Sequence, residues 1–406
     1  MKVGVNVSLY IKKFGGSSVA TPEKMIGVAK RVIYEKKEND RIVIVVSAMG
    51  NTTDELIKLA GKVTKEKHGR EMDVLLATGE QVAISMLAMT FMNLGVSAVS
   101  LTGEQAGIFV KGDYGKSFIS EINPERVFNE LENGNIVIVA GFQGINSNGN
   151  VATLGRGGSD ATAVALAGAM HADICEIFTD VEGVYSADPR YVHNAVKMKE
   201  ITNAEMLEMA RLGAEVMQPR SVEIGLQYHI PIHVRSTFSQ NEGTVIKETC
   251  KTKNNKYVVK GVTHDINVSK VLITGFKNEE NIVDIIKNEL IKNNISADMF
   301  IRDNKNIIFT IKHTDLEDAK IILASLKSEK LFDSIAYESN IAKVSVVGVD
   351  MLDSENVLSR VIKALDDVDI AVDIAFKTDI SISFIILEKN VKDAVQRIHS
   401  EFFNNL

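Results

Sequence analysis

Cysteine is scarce in this sequence. Two residues, Cys175 and Cys250, among 406 make neither a disulfide framework nor a thiolate metal cluster, and they fit a reducing compartment. No basic run is present and the net charge is −7, which argues against nucleic acid as the main partner. No uninterrupted apolar stretch reaches the roughly 20 residues that a membrane-spanning helix needs. Residues 1–10 have no signal-peptide pattern and lead straight into a strand. These absences predict a cytoplasmic protein with neither a membrane nor a nucleic-acid partner. The rest is ordinary globular material, 45% hydrophobic and 24% charged, long enough for two or three domains.

Strand, polar loop and helix alternate along the first 250 residues. A strand over 9–14 is followed by Gly15-Gly16-Ser17-Ser18 and a helix begun by Thr21-Pro22-Glu23, running to about residue 37. Residues 42–46 form a continuous β-branched run, as expected of a strand buried on both faces of a parallel sheet. Further strands are expected over 96–101, 136–140, 174–178 and 232–234, and a long helix through Thr78-Gly79-Glu80-Gln81. This is the pattern of an α/β fold with helices on both faces of a mostly parallel sheet, whose ligands bind beyond the carboxyl ends of the strands.

Two glycine-rich loops carry the chemistry. Thr153-Leu154-Gly155-Arg156-Gly157-Gly158-Ser159-Asp160 runs into an Ala-rich helix, with Ser159 or Asp160 as the expected N-cap. Such a loop offers free amides and a positive dipole end to an anion, and Arg156 adds a planar fork. At the other loop, Lys13 ends a strand just before Gly15-Gly16, which is neither a Walker A nor a Gly-x-Gly-x-x-Gly loop. Together they make a candidate phosphate cradle, because phosphoryl transfer needs positioning and cations rather than covalent help.

After a polar linker at 251–256 comes an internal repeat. Lys270-Val271-Leu272-Ile273-Thr274-Gly275 matches Lys343-Val344-Ser345-Val346-Val347-Gly348. Each is followed by a helix (282–291 and 357–365), strands at 295–299 and 370–374, strands at 307–311 and 380–386, and a last helix. The order β-α-β-β-α, twice, is that of a ferredoxin-like module. The strands over 271–275 and 344–348 are expected to pair between copies or between chains, making at least a homodimer.

Several short motifs resemble one family. Lys13-Phe14-Gly15-Gly16-Ser17-Ser18-Val19 is similar to the signature of aspartate kinases, of the amino-acid kinase superfamily. The resemblance continues through Ser47-Ala48-Met49-Gly50, Thr78-Gly79-Glu80, Gly141-Phe142-Gln143-Gly144, the 154–160 loop, residues 179–185 and Asp188-Pro189-Arg190. The C-terminal repeat resembles paired ACT regulatory modules. The fold implied is α/β: an amino-acid-kinase-type, parallel-rich open sheet sandwiched by helices over 1–250, then ACT modules at 257–335 and 336–406.

The resemblance implies an ATP:L-aspartate 4-phosphotransferase. It would make 4-phospho-L-aspartate, the first step of lysine, threonine and methionine biosynthesis. Lys13 would be catalytic, with Asp160 orienting it. Phe14, Gly15, Gly16, Gly157 and Gly158 would surround the ATP phosphates with Lys13, and Thr179, Asp180, Tyr185, Asp188 and Arg190 would line the nucleotide side. Ser47, Thr53, Glu80, Arg156 and Ser159 would bind L-aspartate, Glu80 through its ammonium group; by default Thr53 is a helix cap. Mg²⁺ would arrive with ATP, with no metal held by protein side chains. Lysine, threonine or both would act as effector near Asn278, Asn281, Ile282, Asp298, Met351, Asp353, Asn356, Val357 and Asp373, in a homodimer or larger oligomer joined through the ACT modules. Two departures stand out: Glu215 occupies a position where many relatives carry lysine, and the usual Pro-Gly turn before each first ACT helix is missing. The alternatives are an acetylglutamate- or glutamate-type kinase of the superfamily, or a non-catalytic ACT amino-acid sensor.

Overall fold

The structure is a computed structural model describing residues 8–65, 68–250, 259–276, 281–303, 305–352 and 355–404. It divides into two compact units. One comprises Met1–Val184, Lys197–Ala210 and Glu215–Lys253; the other Tyr185–Val196, Arg211–Ala214 and Asn254–Leu406.

The first unit contains β1 (Leu9–Phe14), α1 (Pro22–Glu35), β2 (Arg41–Val46), α2 (Thr52–Ala60), α3 (Arg70–Asn93) and β3 (Ala98–Leu101). Next come β4 (Ile108–Lys111), β5 (Phe118–Ile122), α4 (Glu125–Glu132), β6 (Ile136–Ala140), β7 (Gln143–Ile145) and β8 (Val151–Thr153). The unit closes with α5 (Gly158–Ala169), β9 (Ile174–Thr179), β10 (Glu200–Thr202), α6 (Asn203–Arg211), α7 (Pro219–Gln227), β11 (Ile232–Ser236) and β12 (Thr244–Lys247).

Eight strands form one sheet in the order β10-β12-β11-β9-β1-β2-β6-β3. It is parallel from β11 to β3, with β12 and β10 reversed. The β-branched runs of β2 and β6 are buried, as expected of central parallel strands. Thr21 caps α1 by accepting from the Lys24 amide at 3.4 Å, and Pro22 opens the helix where its missing N–H costs nothing. Chain order reverses at β1, which lies between β2 and β9, so the ends of these three strands are where a ligand is expected.

A second sheet, β5-β4-β7-β8, was not anticipated. Its strands are only three to five residues long, and the longest apolar run in them is Ile108-Phe109-Val110; β7 is Gln143-Gly144-Ile145. Its last strand delivers the 154–157 loop to α5. Contrary to the expectation from sequence, one helix, α3, is long and apolar enough to cross a bilayer by length and composition alone. Here it is a core helix, burying Leu76, Ile84, Leu87 and Phe91 together with the acids Asp73 and Glu80.

The second unit contains β13 (Val259–Thr274), α8 (Ile282–Lys292), β14 (Ala297–Arg302), β15 (Asn306–Lys312), α9 (Leu316–Ser328) and β16 (Ser334–Gly348). It ends with α10 (Glu355–Asp366), β17 (Ile374–Lys377), β18 (Ser381–Leu387) and α11 (Val391–Phe403). The repeat is present, with two shifts: the first copy's strand runs over Ala297–Arg302, not 295–299, and the second copy's starts at Ile374, not at residue 370, after a left-handed Asp369 (φ 54°). All six strands make one sheet, β14-β15-β13-β16-β18-β17. β13 and β16 each serve both halves: Val268–Thr274 pairs with residues 334–341, while Val259–Asp265 pairs with residues 343–348. The boundary at 335/336 therefore falls inside β16. Of the two pairings expected, the strands that carry 271–275 and 344–348 pair between copies within the chain, though in another register: Val271–Thr274 lies against 334–337, and 344–348 against 259–264. Both segments lie in inner strands whose edges are satisfied within the chain.

Candidate active site

Successive strand residues point to opposite faces, so the two adjacent lysines of β1 part company. Lys12 turns toward α1, where it pairs with Glu35 at 3.0 Å and with Glu176. Arg235 completes this buried cluster, 2.7 Å from Glu176 and 3.1 Å from Glu35. Burial pushes the Glu35 carboxyl up, but Lys12 and Arg235 outweigh it and hold the group below its ordinary range. Lys13, only 9% exposed, turns the other way and pairs with Asp160 of α5 at 2.5 Å. A Cβ placed on Gly15 would lie 3.5 Å from the Lys13 ammonium, so the lysine lies beside the glycine loop.

The loops around this pair touch one another closely. Gly16 accepts from the Gly50 amide at 3.0 Å, and a Cβ on it would meet the Ala48 carbonyl at 2.7 Å, which only glycine avoids. The Ser47 amide donates to Phe14 at 3.2 Å. Glu80 of α3 accepts from the Ala48 amide at 3.0 Å through Oε1. Its Oε2 is buried with no hydrogen-bond partner among the described residues. Burial pushes the Glu80 carboxyl up to about 7 against the opposing pull of that amide.

The N-cap of α5 differs from the sequence expectation. Gly157 caps it in the left-handed region (φ 70°), and Ser159 and Asp160 fall in the first turn. Glycine takes this conformation at little cost, and a Cβ there would sit 2.2 Å from Gln218 Cγ. Asp160 complements the helix dipole from the first turn as well as holding Lys13. Ser159 is buried against Gly141, where a Cβ would come within 2.7 Å of its hydroxyl. Arg156 is exposed and makes no hydrogen bond or ion pair with a described residue. Thr53 is not a cap either: α2 starts at Thr52 after Asn51, and Thr53 lies in its first turn, half-buried.

Lys13, Gly15, Gly16, Ser47, Glu80, Ser159 and Asp160 thus belong to one contiguous set of strand ends, loops and helix turns around the carboxyl ends of β1, β2 and β6. Arg156, Gly157 and Gly158 adjoin it in sequence. At the neighbouring end of β9, Thr179 donates to Asp180 at 3.1 Å. Tyr185, Asp188 and Arg190 belong to the second unit. There Arg190 forks onto Asp188 at 2.7–3.1 Å. Burial alone raises the Asp188 carboxyl, but this fork wins and holds it below the usual range. No cluster of three His, Cys, Asp or Glu side chains with metal-binding spacing occurs among the described residues.

The residues suggested for an effector have separate fates. Asn278 and Asp353 lie outside the described residues. Ile282, Met351 and Val357 are core side chains, whereas Asn281 and Asn356 are exposed. Asp298 and Asp373 are not open acids: Lys343 meets Asp298 at 2.8 Å, and Lys270 meets Asp373 and, at 2.6 Å, Glu338. Each lysine–aspartate pair joins one repeat copy to the other.

Sequence reasoning passed over Asp73, Arg220 and the Lys12–Glu176–Arg235 cluster. Asp73 had a usable signal, being an acid on the buried face of an apolar helix seven residues before Glu80. The cluster had none, since its members are far apart in sequence.

Residues 8–236 match the amino acid kinase family and residues 344–402 match the ACT domain. The chain is 42% identical over 401 residues to an aspartokinase of Bacillus sp. (strain MGA3), spanning 98% of this chain and 97% of that one. Among solved structures it resembles E. coli aspartokinase III in complex with aspartate and ADP (R-state). The TM-score is 0.83 at 23% identity, with 98% of this chain and 100% of that one covered. The same enzyme with lysine and aspartate (T-state) gives a TM-score of 0.76 at 23% identity, covering 97% and 99%.

Proposed function

The chain belongs to the aspartokinases of the amino acid kinase family, and on that premise we propose how its own residues handle aspartate and Mg·ATP. The γ-phosphoryl group passes to the β-carboxylate of L-aspartate: a carboxylate oxygen–phosphorus bond forms, the bond to the β,γ-bridging oxygen breaks, and ADP leaves. The nucleophile is already ionised, so no general base is required. The protein's task is positioning and charge stabilisation. Lys13 faces the charge that develops on the transferred group, and Asp160 orients Lys13. The amides of Gly15 and Gly16 and those at the α5 N-terminus, beginning with Gly157 and Gly158, receive phosphate oxygens. Mg²⁺ enters as part of the nucleotide substrate and neutralises its oxygens.

Aspartate has two carboxylates and an ammonium group, and it needs a fork donor and an acid acceptor. Arg156 supplies the first and the unpartnered Oε2 of Glu80 the second, with Ser47, Thr53 and Ser159 beside them. The observation that carries the reading is the buried Glu80 Oε2, which has no hydrogen-bond partner among the described residues, on a helix whose other carboxylate oxygen holds the loop after β2, in a site that also contains the Lys13–Asp160 pair. Arg156→Lys keeps the charge and loses the bidentate geometry. KM for aspartate is expected to rise about 10-fold or more, the worth of roughly one good charged hydrogen bond, while KM for ATP stays near its starting value. Equal rises in both constants would assign Arg156 to the phosphates instead.

Regulation through the ACT unit fits the family. Lysine is the first effector to test, since E. coli aspartokinase III has been solved with it; threonine is the second. An effector shifts the equilibrium only by its differential affinity, about 5- to 150-fold in coupling. Steady-state rates of the full chain should fall with lysine, threonine or both. If neither amino acid changes them, the choice of effector is wrong. We also propose a homodimer or larger oligomer joined through this unit, which sedimentation velocity would detect.

A further inference from the structure

Asp73 lies two helical turns before Glu80 on α3, so both side chains leave the same face of the helix. It is only 1% exposed. A single oxygen, Oδ2, accepts the amide of Thr153 at 2.7 Å and that of Gly115 at 2.9 Å. Thr153 ends β8, three residues before Arg156. Midway between the two acids, the Ala77 carbonyl accepts from Gln143 Nε2 at 3.0 Å. One face of α3 therefore grips, in order, the strand end that leads to Arg156, the start of β7 at Gln143 and, through Glu80, the loop after β2.

The Arg156 loop needs such an anchor. Gly155 and Gly157, on either side of the arginine, are both left-handed (φ 75° and 70°) and have intrinsic freedom. With no partner for the guanidinium among the described residues, its position depends on the backbone beneath it. That backbone is tied by Asp73 at Thr153, by the Leu154 amide to the Phe142 carbonyl at 2.9 Å, and by Arg220 of α7. Arg220 donates to the Ser117 carbonyl at 3.0 Å and the Leu154 carbonyl at 3.4 Å. Among these ties only Asp73 shares a rigid element with Glu80. A carboxylate makes the stronger kind of hydrogen bond to backbone amides, which suits a fixed reference point.

We propose that Asp73 is a positioning residue for aspartate. Its buried carboxylate sets the spacing between the Arg156 guanidinium and the Glu80 carboxylate and so fixes the size of substrate they span. The inference rests on the reading that Arg156 and Glu80 hold aspartate. The test uses the full-length enzyme with Asp73→Ala, Asp73→Asn and Arg156→Lys, measuring KM for aspartate and for ATP beside the thermal midpoint. Misplacement by about 1 Å costs up to roughly 100-fold in such sites. Asp73→Ala should therefore raise KM for aspartate about 10-fold or more and change that for ATP by less than about 2-fold. Asp73→Asn still offers one carbonyl oxygen to the same two amides and should recover most of that loss. If Asp73→Ala is insoluble, Asp73→Ser, with a hydroxyl for one amide, should give an intermediate rise for aspartate alone. Equal rises in both constants, or a lower melting point with neither constant changed, would reduce Asp73 to a fold-stabilising residue and overturn the proposal. If Arg156→Lys raises KM for aspartate and the Asp73 variants do not, only the positioning role fails. If Arg156→Lys leaves it unchanged, the substrate reading fails and takes this inference with it.

Discussion

Lys13→Ala is expected to lower kcat by roughly 100-fold or more, the cost of deleting one preorganised donor aimed at transition-state charge. The ammonium is held in place before the substrate arrives, by Asp160 at 2.5 Å and by burial to 9% exposure. Its stabilisation is therefore realised mostly as charge develops on the transferred phosphoryl group. KM for aspartate should change little. The adjacent lysine provides the control. Lys12→Ala breaks a buried ion cluster with Glu35 and Glu176, so it should lower the melting point first, because it leaves buried charge uncompensated. Coupled ADP-release kinetics and thermal unfolding on both variants separate the two roles. Near-normal turnover in Lys13→Ala would remove the lysine from the phosphate site.

The second large effect concerns pH. Glu80 is 3% exposed and its carboxyl is pushed up to about 7, so below neutrality the free enzyme carries it protonated. A protonated carboxyl is a poor acceptor for the aspartate ammonium. The pH profile of kcat/KM for aspartate, which reports groups of the free enzyme, should show an acid limb with an apparent pKa near 7. Below that value it should fall about 10-fold per pH unit. In the bound complex the ammonium favours the ionised form, so the corresponding limb in kcat should lie at lower pH. Glu80→Gln should raise KM for aspartate and erase the limb; a limb that survives in this variant belongs to another group. Folding stability moves in the opposite sense. The native carboxyl sits above its unfolded value of 4.5, so its contribution is fully present below about 4.5 and is lost as pH rises through about 7. The melting point of the free enzyme should decline over that window, and Glu80→Gln should flatten the decline.

Much of this was legible in sequence because the signals were local. The β-branched runs of β2 and β6 read as buried strands, Thr21-Pro22 as a helix start, and the β-α-β-β-α repeat as two related modules. The four-stranded sheet was not legible, since strands of three to five residues are too short to show a period, and its two hairpins are joined only by the distant Phe109–Ile145 pairing. Nor was the sharing of β13 and β16 between the repeat copies, because the register of a strand 15 or 16 residues long is chosen by its neighbours.

By itself the sequence determined which chemical groups are available and where the chain is able to turn. Lys13 before paired glycines, Arg156 between glycines and Asp160 at a helix start depend only on covalent order and local conformational preference. Tertiary structure decided how those groups are paired and how dry they are. It turned Lys13 toward Asp160 and Lys12 toward Glu35 and Glu176. It left the Glu80 Oε2 buried without a partner among the described residues and gave Asp298 and Asp373 lysines from the opposite repeat copy. Desolvation and pairing depend on what packs against a side chain from distant parts of the chain, and no local pattern encodes that.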